Sequence, residues 1–163
     1  AALARLAAPL ARFEHPAANA LWHPMNQARE AAHAIEPRAI SRLARHLLAL
    51  ADPGAIAARR RENFATLAGL LPDLALIPDA ADFVPLGFPV RLPPARRDAV
   101  LARLHAQGFF PAVHWRSLPV GRDWAREWAW ADSLATLPCD PRATPADLRA
   151  LAAALRAALG DGP

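Results

Sequence analysis

A spacing of three to four residues between apolar positions recurs in five stretches of the chain and predicts five helices. The start signals are clearest for two of them. Asp52-Pro53 supplies an N-cap and a proline at the first helical position. Thr144, Pro145 and Asp147 supply a cap, a first position and a capping-box acid. The predicted helices cover 1–14, 38–50, 52–71, 98–107 and 144–160.

Each of these helices places its large aliphatic residues on one stripe, and we expect the stripes of the helices at 98–107 and 144–160 to be buried. The stripe of the second helix is flanked by Arg42, Arg45 and His46. Arg60 falls on the stripe of the third helix, four residues from both Ile56 and Phe64. The stripes are Leu3, Leu6, Leu10 and Phe13; Ile40, Leu43, Leu47 and Leu50; Ile56, Phe64, Leu67 and Leu71; Val100, Leu101 and Leu104; and Leu148, Leu151, Leu155 and Leu159.

Over 82–92 apolar residues occupy every second position, and this period of two predicts a strand. Pro85 and Pro89 occupy alternate positions of this strand, so we expect an edge strand that is open on the side of the missing N–H groups. Further strands are expected at 109–115 and 134–137. Gly108 fits the C′ position of the helix between the first two strands.

The order of these elements indicates an α+β fold, with a small, mostly antiparallel sheet covered by helices and preceded by a helical segment. Residues 15–37 are interrupted by His15-Pro16, His23-Pro24 and Glu36-Pro37, which favours loops or short turns there. Trp124, Trp128 and Trp130 lie in 122–132, which we interpret as a short helical or turn segment.

The composition excludes several kinds of chemistry. The 163 residues correspond to about one domain, and all 19 basic residues are arginine. Without lysine the chain has neither a Schiff-base amine of that type nor a Walker lysine. The single cysteine, Cys139, excludes an internal disulfide and a multi-thiolate zinc site, and it favours a reducing, cytoplasmic location. A net charge of +4 is weak support for nucleic-acid binding.

No apolar run reaches 18 residues, so we expect no transmembrane helix and no membrane partner. The chain does not begin with methionine, and we expect it to be a piece of a longer protein.

Two residues stand out as candidate ligand contacts. His114 comes at the end of a predicted strand, just before a proline-containing loop, which is a common location for binding residues. Arg60 lies on an apolar stripe, where an arginine either pairs locally or reaches an anionic ligand. The six histidines show no metal-binding spacing, no serine lies in a nucleophile elbow, and Cys139 is interpreted as a packed structural thiol.

Six short segments, in order and spread over 36–163, resemble the DegT/DnrJ/StrS-type aminotransferases. The first is similar to the family's N-x-R element and the second to its R-R-x-x-N run. The third resembles the first strand of the family's small domain, and the last three resemble its G-I/V…H-Y/W…P, S-x-x-x-L-P and T-x-x-D/E-L segments. The segments are Glu36–Leu43, Arg59–Phe64, Phe83–Arg91, Phe109–Pro119, Ser133–Pro138 and Thr144–Leu148.

The resemblance implies a fold type I protein that depends on pyridoxal phosphate, forms a homodimer and transfers an amino group to a keto-sugar nucleotide. Residues 36–163 would be its C-terminal small domain, and 1–35 the end of the large domain and the link from it. The lysine that holds the cofactor would belong to the large domain, so the chain alone would be inactive. Arg38 matches the motif arginine and is expected to bind the cofactor, whereas His114 and Arg60 are expected to face the sugar substrate.

One departure from the family pattern supports a second hypothesis. The family's asparagine, which helps to bind the cofactor phosphate, is replaced by Glu36, whose carboxylate repels a phosphate. The chain would then be a non-catalytic interaction or regulatory domain of a degenerate aminotransferase-like protein, with Trp124 and Trp128 on its contact surface. If the chain is part of a longer protein, we expect apolar faces that the large domain normally covers to be exposed, and we expect self-association in solution that involves 1–50.

Overall fold

The computed structural model describes residues 7, 10, 11, 14, 19–32 and 39–160 of the 163-residue chain. These residues form two compact units, Ala1–Ala51 and Asp52–Pro163. The first contains helices α1 and α2, and the second contains α3, β1, α4, α5, β2 and α6. Their bounds are Asn19–Ala31 for α1, Arg42–Leu50 for α2, Pro53–Leu70 for α3, Gly87–Arg91 for β1, Arg97–Ala106 for α4, Ala125–Ser133 for α5, Leu134–Pro138 for β2 and Pro145–Gly160 for α6. The fold is α+β with an antiparallel sheet, as predicted.

Helix α1 corrects the prediction of loops over 15–37, because Asn19–Ala31 is helical with Pro24 inside it. Polar pairs at helical spacing link successive turns. Asn26 Oδ1 accepts from Arg29 at 2.8 Å, and Asn26 Nδ2 donates to Glu30 at 2.8 Å. Most of the helix predicted at 1–14 lies outside the described residues.

Helix α2 begins after Ser41, whose hydroxyl accepts from the backbone N–H of Ala44 at 3.1 Å. Leu43, Leu47 and Leu50 of the predicted stripe lie on this helix, and none of the residues of α2 is buried. Arg38, where we expected this helix to start, lies outside the described residues.

Helix α3 starts as predicted, with the Asp52 carboxylate accepting from the N–H of Ala55 at 2.9 Å and Pro53 at the first position. Phe64, Leu67 and Leu71 are fully buried. Ile56, one turn from the start of α3, is 40% exposed and so does not belong to the core.

Two arginines of α3 hold the chain segment that enters β1. Arg60 Nη1 donates to the carbonyl oxygens of Pro85 at 3.0 Å and Leu86 at 2.8 Å. Arg61 Nε donates to the carbonyl oxygen of Phe83 at 3.0 Å. These contacts hold the backbone of 83–86 against α3, just before the chain enters β1.

The sheet within the described residues has two antiparallel strands, with Phe88 opposite Leu137 and Pro89 opposite Thr136. The predicted strand 82–92 is shortened to Gly87–Arg91, and Leu86 before it is 75% exposed. The backbone N–H and C=O of Thr136 both bond to Ala112, on the side of β2 away from β1. The backbone nitrogen of Pro89 therefore faces away from β2. Because no bond to β2 would use an N–H at this position, the proline removes no hydrogen bond between β1 and β2.

The predicted strand at 109–115 does not form. Within 109–115 only Ala112 pairs with the sheet, through an isolated bridge to Thr136. The preceding residue, Pro111, is buried and has no N–H to continue a ladder. The segment is instead an irregular connection that touches the edge of β2 at one residue.

The core lies on one face of the sheet. Phe88, Val90 and Leu137 point into it, and α3, α4 and α6 contribute the remaining large side chains. Helices α3 and α4 both pack against α6, and α3 also contacts β1. The buried residues on the helices include Phe64, Leu67, Leu71, Val100, Leu101, Leu104, Leu148, Leu151 and Leu155.

The ends of α4 and α6 follow the sequence signals. Gly108, after α4, has φ 83°, a left-handed conformation that favours glycine, and Phe109 donates its N–H to the carbonyl of Leu104. The capping box of α6 is formed by Thr144 and Asp147, with Thr144 N–H to Asp147 Oδ2 at 2.8 Å. Among the described helices, none has both the length and the apolar character needed to cross a bilayer.

Candidate functional site

The face of the sheet opposite the core is partly exposed. It is formed by alternate residues of both strands, which are all partly exposed or exposed, in contrast to the buried residues between them. We call this surface the outer sheet face; it comprises Gly87, Pro89, Arg91, Leu134, Thr136 and Pro138.

The connection after α4 forms one border of this face. Ala112 and Thr136 exchange two backbone hydrogen bonds, both 2.9 Å long. His114 follows two residues later and is exposed. The single bridge at Ala112 therefore holds the imidazole of His114 beside the sheet without burying it.

Two cavities adjoin this bridge, with volumes of about 160 Å³ and about 230 Å³. Ala112, His114 and Thr136 line both of them. We call the combined depression the His114 groove. Most of its other lining residues are apolar, as is usual for a small-molecule site with a few polar groups.

Asp140 is one of the residues that line the larger cavity. Its Oδ1 accepts from Arg142 Nε at 2.8 Å and from the N–H of Arg142 at 3.1 Å. The hydrogen bond from the Arg142 side chain is the main reason that the pKa of Asp140 is lowered, and the charge of Arg60 also contributes. Asp140 is therefore ionised at neutral pH.

Aromatic side chains border the groove. Trp115 lines the smaller cavity and is 58% exposed, with its ring 6.0 Å from that of His114. Phe110 lines the larger cavity and stacks on His105, with the ring centroids 5.3 Å apart. An exposed indole next to an imidazole offers a flat apolar surface beside a hydrogen-bonding group.

Of the three residues predicted to contact ligands, the structure places only His114 in the groove. Arg38 lies outside the described residues. Arg60 does not line either cavity, and Nη1 of its side chain is engaged by two backbone carbonyls. Arg60 still affects the groove indirectly, because it binds the backbone of Leu86, and Leu86 lines the larger cavity.

Sequence reasoning missed Thr136 and Asp140 as groove residues. Thr136 is flanked by Ala135 and Leu137, which face the core, so the period of two within β2 already assigns it to the opposite face. Asp140 carries no comparable signal, because its position depends on the turn that follows β2.

Cys139 lies on the core side, fully buried. Burial is the main cause that raises the pKa of this thiol. A protonated, inaccessible thiol is a poor nucleophile, in agreement with its interpretation as a structural residue.

The groove combines an imidazole, a hydroxyl and an ionised carboxylate with apolar walls, which suits reversible binding of a small molecule that has both polar groups and an apolar surface. Over the residues that the structure describes, no group of three or more His, Cys, Asp and Glu side chains could hold a metal ion. No protein-family model matches this chain, and a comparison with curated proteins found no matching sequence.

Proposed function

We propose that the chain is the C-terminal small domain of an aminotransferase-like protein that depends on pyridoxal phosphate and acts on a keto-sugar nucleotide. The observation that carries the proposal is the position of His114. The residue predicted to face the substrate lies in a groove on the open side of the sheet. The order of α2, α3, β1, α4, α5, β2 and α6 over 42–160 is also in keeping with the resemblance.

The chain by itself does not fit covalent attachment of the cofactor, because it contains no lysine. We therefore assign no chemical step to it. Its role in the proposal is to form one wall of a substrate site and to contribute to a homodimer, with the cofactor lysine supplied by a large domain of the same protein.

Within this role, each polar group of the groove has a definite task. His114 and Thr136 can exchange hydrogen bonds with hydroxyl groups of a sugar, and the ionised Asp140 can accept from them. Trp115 offers an apolar surface for the ring carbons. Arg60 supports the groove by holding Leu86 rather than by contacting the ligand.

The test uses the gene that encodes this chain. We expect its reading frame to continue upstream of Ala1 and to encode a lysine-containing domain. The polypeptide expressed from the complete frame should then show the visible absorbance of bound pyridoxal phosphate. A frame that starts near Ala1 would contradict the proposal. A longer, folded polypeptide without cofactor absorbance would favour the degenerate, regulatory alternative instead.

A further inference from the structure

Two arginine side chains lie over indole rings of α5. The guanidinium carbon of Arg122 is 3.7 Å from the centroid of the Trp128 ring. The guanidinium carbon of Arg91 is 4.9 Å from the centroid of the Trp130 ring. Both distances are within the range of a cation–π contact. An arginine on an aromatic ring presents the flat face of its guanidinium to the ring, so the N–H groups at the edge remain available for hydrogen bonds.

The pair of Arg122 and Trp128 is completed by a carboxylate of the chain. Nη1 of Arg122 donates to Oδ2 of Asp132 at 2.7 Å, and Nε1 of Trp128 donates to the carbonyl oxygen of Gly121 at 2.9 Å. This arginine therefore has an aromatic ring at its face and an oxyanion at its edge. The arrangement shows, within the same protein, which kind of group completes an arginine–indole pair.

The pair of Arg91 and Trp130, which we call the Arg91 pair, has the ring but no oxyanion. Arg91 is exposed at the end of β1, and in the part of the chain that the structure describes its guanidinium has no hydrogen bond and no ion pair. The contact with Trp130 restricts the side chain, so less conformational entropy is lost when the guanidinium binds a ligand. A planar guanidinium held in this way is suited to bind two oxygen atoms of one carboxylate or phosphate group.

The Arg91 pair adjoins the smaller of the two cavities. Arg91 is opposite Leu134 on the outer sheet face, and Trp130 precedes Ala131 in α5. Leu134 and Ala131 both line the smaller cavity, and so does Pro89, two positions from Arg91 on the same face. The cavity measures about 160 Å³ and has mostly apolar walls. It therefore has room for one small ring, since an apolar cavity of roughly 150 Å³ admits benzene.

We propose that the Arg91 pair binds the oxyanion of a small molecule, a phosphate or a carboxylate, whose apolar part enters the smaller cavity. The edge of the Arg91 guanidinium donates hydrogen bonds to two oxygen atoms of the anion. The anion takes the place that the carboxylate of Asp132 occupies at Arg122. Trp130 holds the guanidinium in position, and the apolar walls of the cavity favour a ligand that carries a ring over a bare anion.

The inference goes beyond the proposed function. It assigns an anion-binding contact to a residue that has no part in the proposed sugar site, and it concerns this chain alone, without a large domain or pyridoxal phosphate. The two proposals fail separately. A complete protein without cofactor absorbance would leave the binding of oxyanions to this chain unaffected, and a chain that binds no oxyanion would leave the cofactor test unaffected.

The first experiment titrates the purified chain by calorimetry with phenyl phosphate, benzoate and inorganic phosphate. We expect saturable binding of phenyl phosphate or benzoate, and the tighter of the two identifies the oxyanion. Inorganic phosphate should bind more weakly than phenyl phosphate, because it has no apolar part to enter the cavity. Absence of binding by all three anions would overturn the proposal. Equal affinity for inorganic phosphate and the ring compounds would overturn the role of the cavity.

The second experiment repeats the titration with arginine variants. Arg91→Gln should lower the affinity by about tenfold or more, because hydrogen bonds to a charged group are lost. Arg149→Gln is the matched control. Arg149 is also exposed and carries the same charge, but it lies on α6, which packs on the core side of the sheet. Arg91→Lys keeps the charge without the planar group and should not restore the affinity.

Two results of this comparison would overturn the site. Equal losses in Arg91→Gln and Arg149→Gln would show that the anions respond only to the net charge of the chain. A lysine at position 91 that binds as tightly as the native arginine would show that the planar guanidinium and its ring are not needed.

Nuclear magnetic resonance of the indole N–H groups locates the bound anion. Titration should shift the Nε1–H signal of Trp130, which Trp130→Leu identifies by removing it. The signal of Trp128 is the internal control, because Arg122 beside that ring is already paired with Asp132. A Trp130 signal that does not move as binding saturates would overturn the assignment of the anion to the Arg91 pair.

Discussion

The side-chain amide of Asn63 donates to the carbonyl oxygen of Asp140 at 2.8 Å, across 77 positions of the sequence. Asn63 lies on α3 and is only 2% exposed, and its Nδ2 is also 3.4 Å from the carbonyl oxygen of Ala143. This amide ties the turn after β2 to the main helix of the core. The position of Asp140 in the groove therefore depends on a residue that is not itself at the surface.

Replacing Asn63 with leucine should destabilise the second unit by about 2 kcal/mol, because buried carbonyl groups lose their donor. The free energy of unfolding from urea denaturation measures this change. Thr66→Ala on the same helix removes a hydroxyl that bonds only within its own helix, to the carbonyl of Glu62, and should change the free energy much less. Equal effects of the two substitutions would show that the Asn63 amide does not stabilise the contact between α3 and the turn after β2.

Gly87→Ala should be destabilising, whereas the identical change at Gly69 should not. A Cβ at position 87 would clash with Cγ2 of Thr136 and would lie 2.9 Å from the carbonyl oxygen of Leu137. We expect a loss of about 1–3 kcal/mol from this overpacking. A methyl group at position 69 would have no described atom within 4 Å beyond its own helix backbone, and alanine should stabilise that helix by about 0.5–1 kcal/mol. Thermal unfolding of the two variants shows whether each change lowers or raises the stability.

The capping box of α6 should contribute stability in a pH-dependent way. The hydrogen bond from the Thr144 side chain is the main cause that lowers the pKa of Asp147 below its usual value of 3.8. A carboxylate with a lowered pKa stabilises the fold above pH 3.8, and that contribution is lost as the pH falls through the folded-state value.

Thr144→Ala should therefore cost about 1 kcal/mol at neutral pH, where the cap is intact. The difference from the wild type should narrow as the pH falls below 3.8, because Asp147 becomes protonated in both proteins. Urea unfolding at several pH values gives the comparison. A difference that is constant with pH would mean that the Thr144–Asp147 hydrogen bonds do not involve the ionised acid.

Cys139 should be unreactive in the folded protein. Its side chain is fully buried, and desolvation raises the pKa of the thiol, so little thiolate is accessible at neutral pH. We expect Ellman's reagent to label it only as fast as the second unit opens, and at once in denaturant. Asn63→Leu should speed the labelling, because a less stable second unit opens more often. Rapid labelling of the native wild type would contradict the packing described for β2.

His114→Ala should weaken substrate binding but leave the free energy of unfolding almost unchanged. The imidazole is exposed and lies outside the core, so the free energy of unfolding should change by less than about 0.5 kcal/mol. In the complete protein, the same variant should raise KM for the sugar substrate. Thr136→Val, which removes the neighbouring hydroxyl, should act in the same direction. Unchanged KM in both variants would exclude the His114 groove as part of the substrate site.

The elements that the sequence predicted well are those with a local start or stop signal. Asp52, Thr144 and Gly108 mark helix ends through their own side chain or backbone conformation, and the structure agrees at each of them. These signals act within one turn of the chain. They therefore do not depend on how the rest of the protein folds.

The elements that were predicted wrongly depend on distant partners. The segment 109–115 has the apolar residues of a strand, but a strand needs a continuous row of partners, and β2 offers one only to Ala112. Helix α1 continues through Pro24, although proline removes a donor inside a helix. The groove also forms from residues that are distant in the sequence. His114 was predicted because it ends a predicted strand just before a loop, whereas Asp140 carries no such local signal.

The hold of Arg60 and Arg61 on the chain before β1 has a consequence for sequence divergence. Both guanidinium groups bond to carbonyl oxygens, which every amino acid possesses, and neither relies on a side chain of 83–86. Related proteins should accordingly vary at Val84, which is exposed, while keeping the two arginines. An alignment of related proteins would then show an invariant pair of arginines and a variable residue at position 84.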